Sequence, residues 1–162
     1  MKAAIPILFD KSLTEVNLQI SAKWLFEKND EEAKNAVEFL KDHFGVDEFQ
    51  DGETRYKIDR KGYRNGNHCL NVEVEIKQHW KDGQEPFPYD EINLPSRKGK
   101  YFDLELPTYF VIFSADCKGA VIFSDTVAKN SEMKEVPNRY VPKGEMFYKI
   151  PLKKAALMRF NQ

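Results

Sequence analysis

The stretch Leu70 to Lys77 constrains the fold more than any other part of the chain. Leu70, Val72, Val74 and Ile76 alternate with Asn71, Glu73, Glu75 and Lys77. This strict period of two predicts a β-strand with one apolar face and one polar face. The polar face sets two carboxylates and an amine in one line. Glu75 and Lys77 lie two residues apart on a stiff backbone and point the same way. Such a pair can hold a divalent cation and present a positive charge to an anion beside it. The plain alternative is an amphipathic edge strand with a Glu-Lys pair on its wet side. Glu73 shares the face as a reserve ligand and reads as a solvated strand residue.

The flanking segments supply the context. Ala3 to Phe9 reads as a short strand or arm. Ser12 and Glu15 fit a capping box for a first helix that includes Leu13, Val16, Ile20, Trp24 and Leu25. Ala33, Ala36, Val37, Leu40 and Phe44 recur at helical spacing, which predicts a helix over 31–44 with Gly45 at its C-cap. Glu32 falls at the edge of that helix's buried stripe, and Glu38 nearly opposite. Val46 to Gln50 reads as a short strand and Thr54 to Asp59 as the next. Lys61 to Asn67 is turn-rich. A β-meander results, with Asp59 near the open end of one strand and Glu75 and Lys77 in the next.

After the strand, residues 81–94 form a polar, Pro-rich loop, and Arg97, Lys98 and Lys100 crowd together before Tyr101. Thr108 to Phe113 and Ala120 to Phe123 are continuous apolar runs, the pattern of strands covered on both faces. Asp125 to Asn130 reads as a helix capped by Ser124. Glu145 to Ile150 is a further strand, and Lys153 to Phe160 a short amphipathic tail. The order predicts one α/β domain on a mixed sheet, with its core over roughly 30–125 and a C-terminal strand and tail over 140–162.

With 41% hydrophobic and 31% charged residues among 162, the composition is that of a globular domain. A formal net charge of −1 means that polyanion binding would rest on a local basic patch rather than a global field. Cys69 and Cys117 are too few for a zinc site or a disulfide scaffold. Met1 to Phe9 does not read as a signal peptide, and no apolar run reaches the length of a membrane span. The expectation is an intracellular, cytoplasmic protein.

A helix, then Asp59, then a turn-rich connection, then Glu75-x-Lys77 on a strand: this resembles the PD-(D/E)xK nuclease superfamily over roughly residues 30 to 125. Ile58 stands where the family pattern has proline. The resemblance implies a restriction-endonuclease-like fold, a mixed β-sheet of meander plus later strands flanked by helices. It implies catalytic Asp59, Glu75 and Lys77, with Glu32 as the helix acid. Asp59 and Glu75 would hold Mg²⁺ or Mn²⁺, and Lys77 would polarise the attacking water. The expected activity is endo- or exonucleolytic hydrolysis of phosphodiester bonds in DNA. A non-catalytic nucleic-acid- or protein-binding module on the same fold is the alternative.

The chemistry stands beside the resemblance. Phosphodiester cleavage needs a cation that activates water and neutralises developing charge. Mg²⁺ takes few protein oxygens and fills the rest of its shell with water and phosphate. Arg97, Lys98 and Lys100, with Gln78 beyond the strand end, are the candidate nucleic-acid contacts. Trp80 and Tyr89 could stack on bases, with core or rim packing the favoured reading of both. In a symmetric hairpin turning near Tyr63 to Asn65, Glu75 would face residues 53–55, so Asp51 or Glu53 remains open as its partner. Cutting of duplex DNA by so small a domain often needs two active sites, which makes a homodimer plausible.

Overall fold

The computed structural model describes residues 29–52, 58–137 and 142–160. The expected N-terminal strand and first helix, and Thr54 to Lys57 of the next strand, lie outside the described residues.

The helix expected over 31–44 is present. It runs as α1 over residues 29–36, tightens to a 3-10 turn at Val37–Leu40 and ends as α2, Lys41–Phe44. Ala33, Ala36, Val37, Leu40 and Phe44 are all buried along one stripe. Gly45, with φ of 64°, closes the C-terminus in the left-handed region that glycine adopts most readily.

A six-stranded sheet is the centre of the fold, in the order β1 (Glu48–Asp51), β2 (Arg60–Arg64), β3 (Asn67–Lys77), β5 (Thr108–Ser114), β6 (Gly119–Ser124) and β9 (Ala156–Arg159). Among the described residues, only β3 and β5 run parallel; every other neighbouring pair of this sheet is antiparallel. The sheet is therefore mixed, as expected. Helix α3 (Asp125–Lys129) follows β6, and the Ser124 hydroxyl caps it by accepting from the Val127 amide at 3.2 Å.

A second, three-stranded antiparallel sheet, β4 (Glu91–Pro95), β8 (Glu145–Pro151) and β7 (Glu132–Val136), was not expected beyond its β8 member. The two sheet faces have separate cores. Leu70, Val72 and Val74 of β3, with Val111 and Phe113 of β5, pack with Ala33, Val37 and Leu40 of the helix. Phe110, Ile112, Val121 and Phe123 point the other way and pack with Ile92, Leu94 and Ile150 of the second sheet, together with Trp80, Phe87 and Tyr101. The polar face of β3 therefore lies on the side of the second core, with Glu73 buried and Glu75 exposed at the strand's end.

The turn-rich reading of Lys61 to Asn67 is corrected. Lys61 and Gly62 lie within β2, and the turn is Asn65-Gly66 alone, at φ of 50° and 77°. Positive φ at both central residues matches the twist of a tight hairpin. Gly62 serves packing, since a Cβ there would lie 2.7 Å from Leu70 Cδ1 and 3.1 Å from Val46 Cγ1. The ladder between β2 and β3 shifts register between Gly62 and Tyr63. The C-terminal tail is also more ordered than expected: it holds a 3-10 turn, Leu152–Lys154, and the edge strand β9. Among the described residues, no helix is long and apolar enough to cross a membrane.

Candidate active site

Strand β3 outruns its hairpin partner. β2 pairs with Asn67 to Val72 and stops at Arg60, whereas β3 continues to Lys77 on the support of β5. Asp59 sits where the ladder ends, one step beyond the Arg60–Val72 pair, and so lies opposite Glu73. Asp59 Oδ2 accepts from the Val74 amide at 3.0 Å, and the Asp59 amide donates to Glu73 Oε2 at 3.3 Å. A carboxylate thus continues the ladder where the backbone partner has run out.

The partner of Asp59 is therefore Glu73 and not Glu75. Glu73 is also not the solvated residue expected, because only 4% of it is exposed. The two side-chain carboxyls act directly on each other. Burial, and then the hydrogen bond and charge of Asp59, push the Glu73 carboxyl up to about 8. Lys98 and the Tyr101 hydroxyl pull it partly back. The Tyr101 hydroxyl is itself pushed upward by burial and by the Glu73 charge. The shift favours the protonated form of Glu73 at neutral pH, which spares the pair two like charges in a desolvated corner.

The 3-10 turn Ser96–Tyr101 delivers both the amine and the phenol. Lys98 Nζ lies 3.4 Å from Glu73 Oε1 and 5.7 Å from the centre of the Tyr101 ring. Arg97 is engaged with Glu145 at 2.7 Å. Lys100 Nζ packs over the Tyr101 ring at 5.0 Å.

These groups open into a cavity of about 950 Å³ at the free end of β3. Asp59, Glu73, Glu75, Gln78, Arg97 and Lys98 line it. Glu75 meets solvent through this cavity, yet the protein around it still pushes its carboxyl upward, against the pull of Lys77, Lys98 and Arg97. Glu75 also forms part of the wall of a smaller cavity of about 380 Å³, which contains Lys77. Lys77 Nζ sits 5.3 Å over the Tyr89 ring there. The expected Asp59–Glu75–Lys77 set is thus divided: Asp59 is held by Glu73, and Lys77 stands in the adjoining lobe.

Glu32 is not among the residues lining either cavity. Its charge acts on Cys117, which packs in the helix-side core and whose thiol is pushed up to about 12, mainly by burial. Asp51 lines neither the acid pair nor Glu75 by contact: it faces Arg60 Nε at 3.5 Å and is mostly exposed, although it borders the large cavity. Glu53 lies outside the described residues. Trp80 is a core residue, 2% exposed, whose indole N–H donates to the Glu85 carbonyl.

Among the described residues, no group of three or more His, Cys, Asp and Glu is placed to hold a metal ion. The donor set is the pair Asp59 and Glu73, with Glu75 two residues along the same strand. Two facing carboxyls, one of them raised toward its protonated form, are compatible with a hard cation in the proton's place, and Mg²⁺ needs only one or two carboxylates from a protein.

Sequence reasoning missed the buried state of Glu73 and the role of Tyr101. The alternation already put Glu73 on the face of Glu75, and what was not visible was that Asp59 and the turn Ser96–Tyr101 close over it. No protein-family model matches this chain, and no curated protein matches it significantly.

Proposed function

We propose that this protein is a metal-dependent nuclease that hydrolyses phosphodiester bonds in DNA, built on a restriction-endonuclease-like variant of the mixed sheet. The observation that carries the reading is the facing pair Asp59 and Glu73, poised at the end of an interrupted ladder inside a large cavity beside Lys98. Asp59 and Glu73, with Glu75 adjacent, would hold Mg²⁺ or Mn²⁺. The bound cation supplies activation of water and neutralisation of charge on the phosphate.

The other steps belong to the chain's own groups. Val74 N–H and Tyr101 O–H orient the two carboxyls, one on each. Lys98 offers a positive charge to a phosphate oxygen at the acid pair. Arg97 and Gln78 line the same cavity and suit the flanking backbone. The burial of Glu73 limits water around the reacting phosphate and strengthens each of these interactions.

A non-catalytic DNA-binding module is the second reading. It is favoured by one observation: Lys77 is drawn toward Tyr89 and away from the acid pair. Digestion of plasmid and oligonucleotide DNA with and without Mn²⁺ separates the two. The nuclease reading expects metal-stimulated cutting by the wild type that disappears in Asp59→Asn. Binding without metal-stimulated cutting, or cutting undiminished in Asp59→Asn, overturns it.

A further inference from the structure

The smaller cavity has a composition unlike its neighbour. Its walls are Glu75 and Lys77 of β3, Tyr89 and Asp90 of the preceding loop, and Asn93 of β4 with Lys149 of β8; Phe87, Ile92 and Ile112 supply the apolar surface. At about 380 Å³ it is in the size range of small-molecule pockets. The carboxylates of Glu75, Asp90 and Glu91 outnumber the amines of Lys77 and Lys149, so the lobe does not favour a phosphate. What suits it is flat, uncharged and edged with hydrogen-bonding groups.

Tyr89 provides the platform. It is 44% exposed, and its ring meets Phe87 at 70°, edge to face. Among the described residues, no ring is stacked on its faces. Lys77 Nζ, 5.3 Å from the ring centre, steadies the phenol from β3. Elsewhere on the wall, Lys149 Nζ donates to Asn93 Oδ1 at 2.8 Å, which fixes the carboxamide. Glu75 belongs to both cavities, so a group in the small lobe lies next to whatever the acid pair holds.

We infer that the small lobe seats an unpaired nucleobase of the DNA strand, stacked on Tyr89, beside the phosphate at Asp59 and Glu73. The inference rests on the nuclease reading for the identity of the strand, and it narrows the substrate to single-stranded or frayed DNA. A base in this lobe has left its own stack, and that cost is least where the strand is already unpaired.

The test measures binding and cutting separately. Affinities of a fluorescein-labelled 12-nucleotide strand and of its blunt duplex are read by anisotropy in Ca²⁺ and in EDTA, for wild type, Tyr89→Leu and Asp59→Asn. Wild type and Asp59→Asn are expected to prefer the single strand in at least one buffer. Tyr89→Leu is expected to lose about five- to 100-fold in single-strand affinity, the size of one base–aromatic stack, with duplex affinity unchanged. Equal affinity of the wild type for both forms, no binding in either buffer, or an unaltered single-strand affinity in Tyr89→Leu overturns the inference. Cutting in Mn²⁺ that ignores strand state removes the base lobe and leaves the nuclease. Strand-selective binding that depends on Tyr89, without cutting, keeps the base lobe and removes the nuclease.

Discussion

Asp59 and Glu73 face each other one step past the last rung of the β2–β3 hairpin, and each carboxyl accepts from a backbone amide on the other side. Asp59 reaches the Val74 amide and Glu73 reaches the Asp59 amide. Substitutions here have separable effects on stability and on chemistry.

Glu73→Gln replaces the titratable proton with a permanent N–H donor. Because the Glu73 carboxyl is raised from 4.5 to about 8, the folded chain keeps its proton across a window in which the unfolded chain has lost it. Stability is therefore complete below about pH 4.5 and falls as pH rises through about 8, by at most about 1.4 kcal/mol per pH unit. Glu75, raised in the same direction, adds to the slope. Urea melts between pH 5 and 9 are expected to show this decline in the wild type and a flatter profile in Glu73→Gln. Metal-stimulated DNA cutting in the variant is expected to drop by about 100-fold or more.

Lys98 and Lys77 compete for the role of the amine in the reaction. Lys98 lies 3.4 Å from Glu73, whereas Lys77 rests over Tyr89. Lys98→Met is expected to lower single-turnover cutting by about 100-fold, and Lys77→Met by less than about tenfold. The opposite ranking would return the amine's role to Lys77.

Arg60 holds the hairpin to the helix. Its guanidinium donates to the Lys34 carbonyl at 2.9 Å, to Glu38 at 2.9 Å and to the Phe49 carbonyl at 3.0 Å. Arg60→Met leaves the Phe49 carbonyl, on a buried residue, without this donor, and is expected to cost about 2–4 kcal/mol. The urea midpoint should drop with the slope unchanged. Arg60→Lys should recover little, because one ammonium cannot span the same fork.

Gly83 and Gly119 touch backbone to backbone. A Cβ on Gly83 would lie 2.0 Å from the Gly119 nitrogen and 2.4 Å from the Lys118 carbonyl carbon. Gly83→Ala is expected to destabilise the chain by about 3 kcal/mol, read as a lower thermal midpoint. A variant as stable as the wild type would show that the loop shifts without cost.

Where one residue's environment decided its element, the sequence was a sufficient guide. The apolar runs around Val111 and Ile122 could be covered only on both faces, and Gly45 could only close a helix. Errors came where the deciding partner lies far along the chain. Gly62 looked like punctuation because the Leu70 and Val46 side chains that exclude a Cβ there are not its neighbours in sequence. Strand β4 is short and follows a polar, Pro-rich loop, β7 is short and polar, and nothing local marks the turn Ser96–Tyr101 as the segment that brings Lys98 and Tyr101 to Glu73. The candidate site was legible as a set of residue types, with its pairing displaced by one strand repeat, since pairing depends on a register that no single strand encodes.

The irregular step at Gly62–Tyr63 has a consequence for how this chain tolerates insertion. Near the turn, Tyr63 stands opposite His68; past the irregularity, Arg60 stands opposite Val72. Were the first spacing to persist, Asp59 would meet Val72, whose side chain belongs to the helix-covered core, and the acid would be aimed into hydrocarbon. One surplus residue thus sets the parity of the whole arm, and losing it would leave a hairpin with its acid on the wrong side.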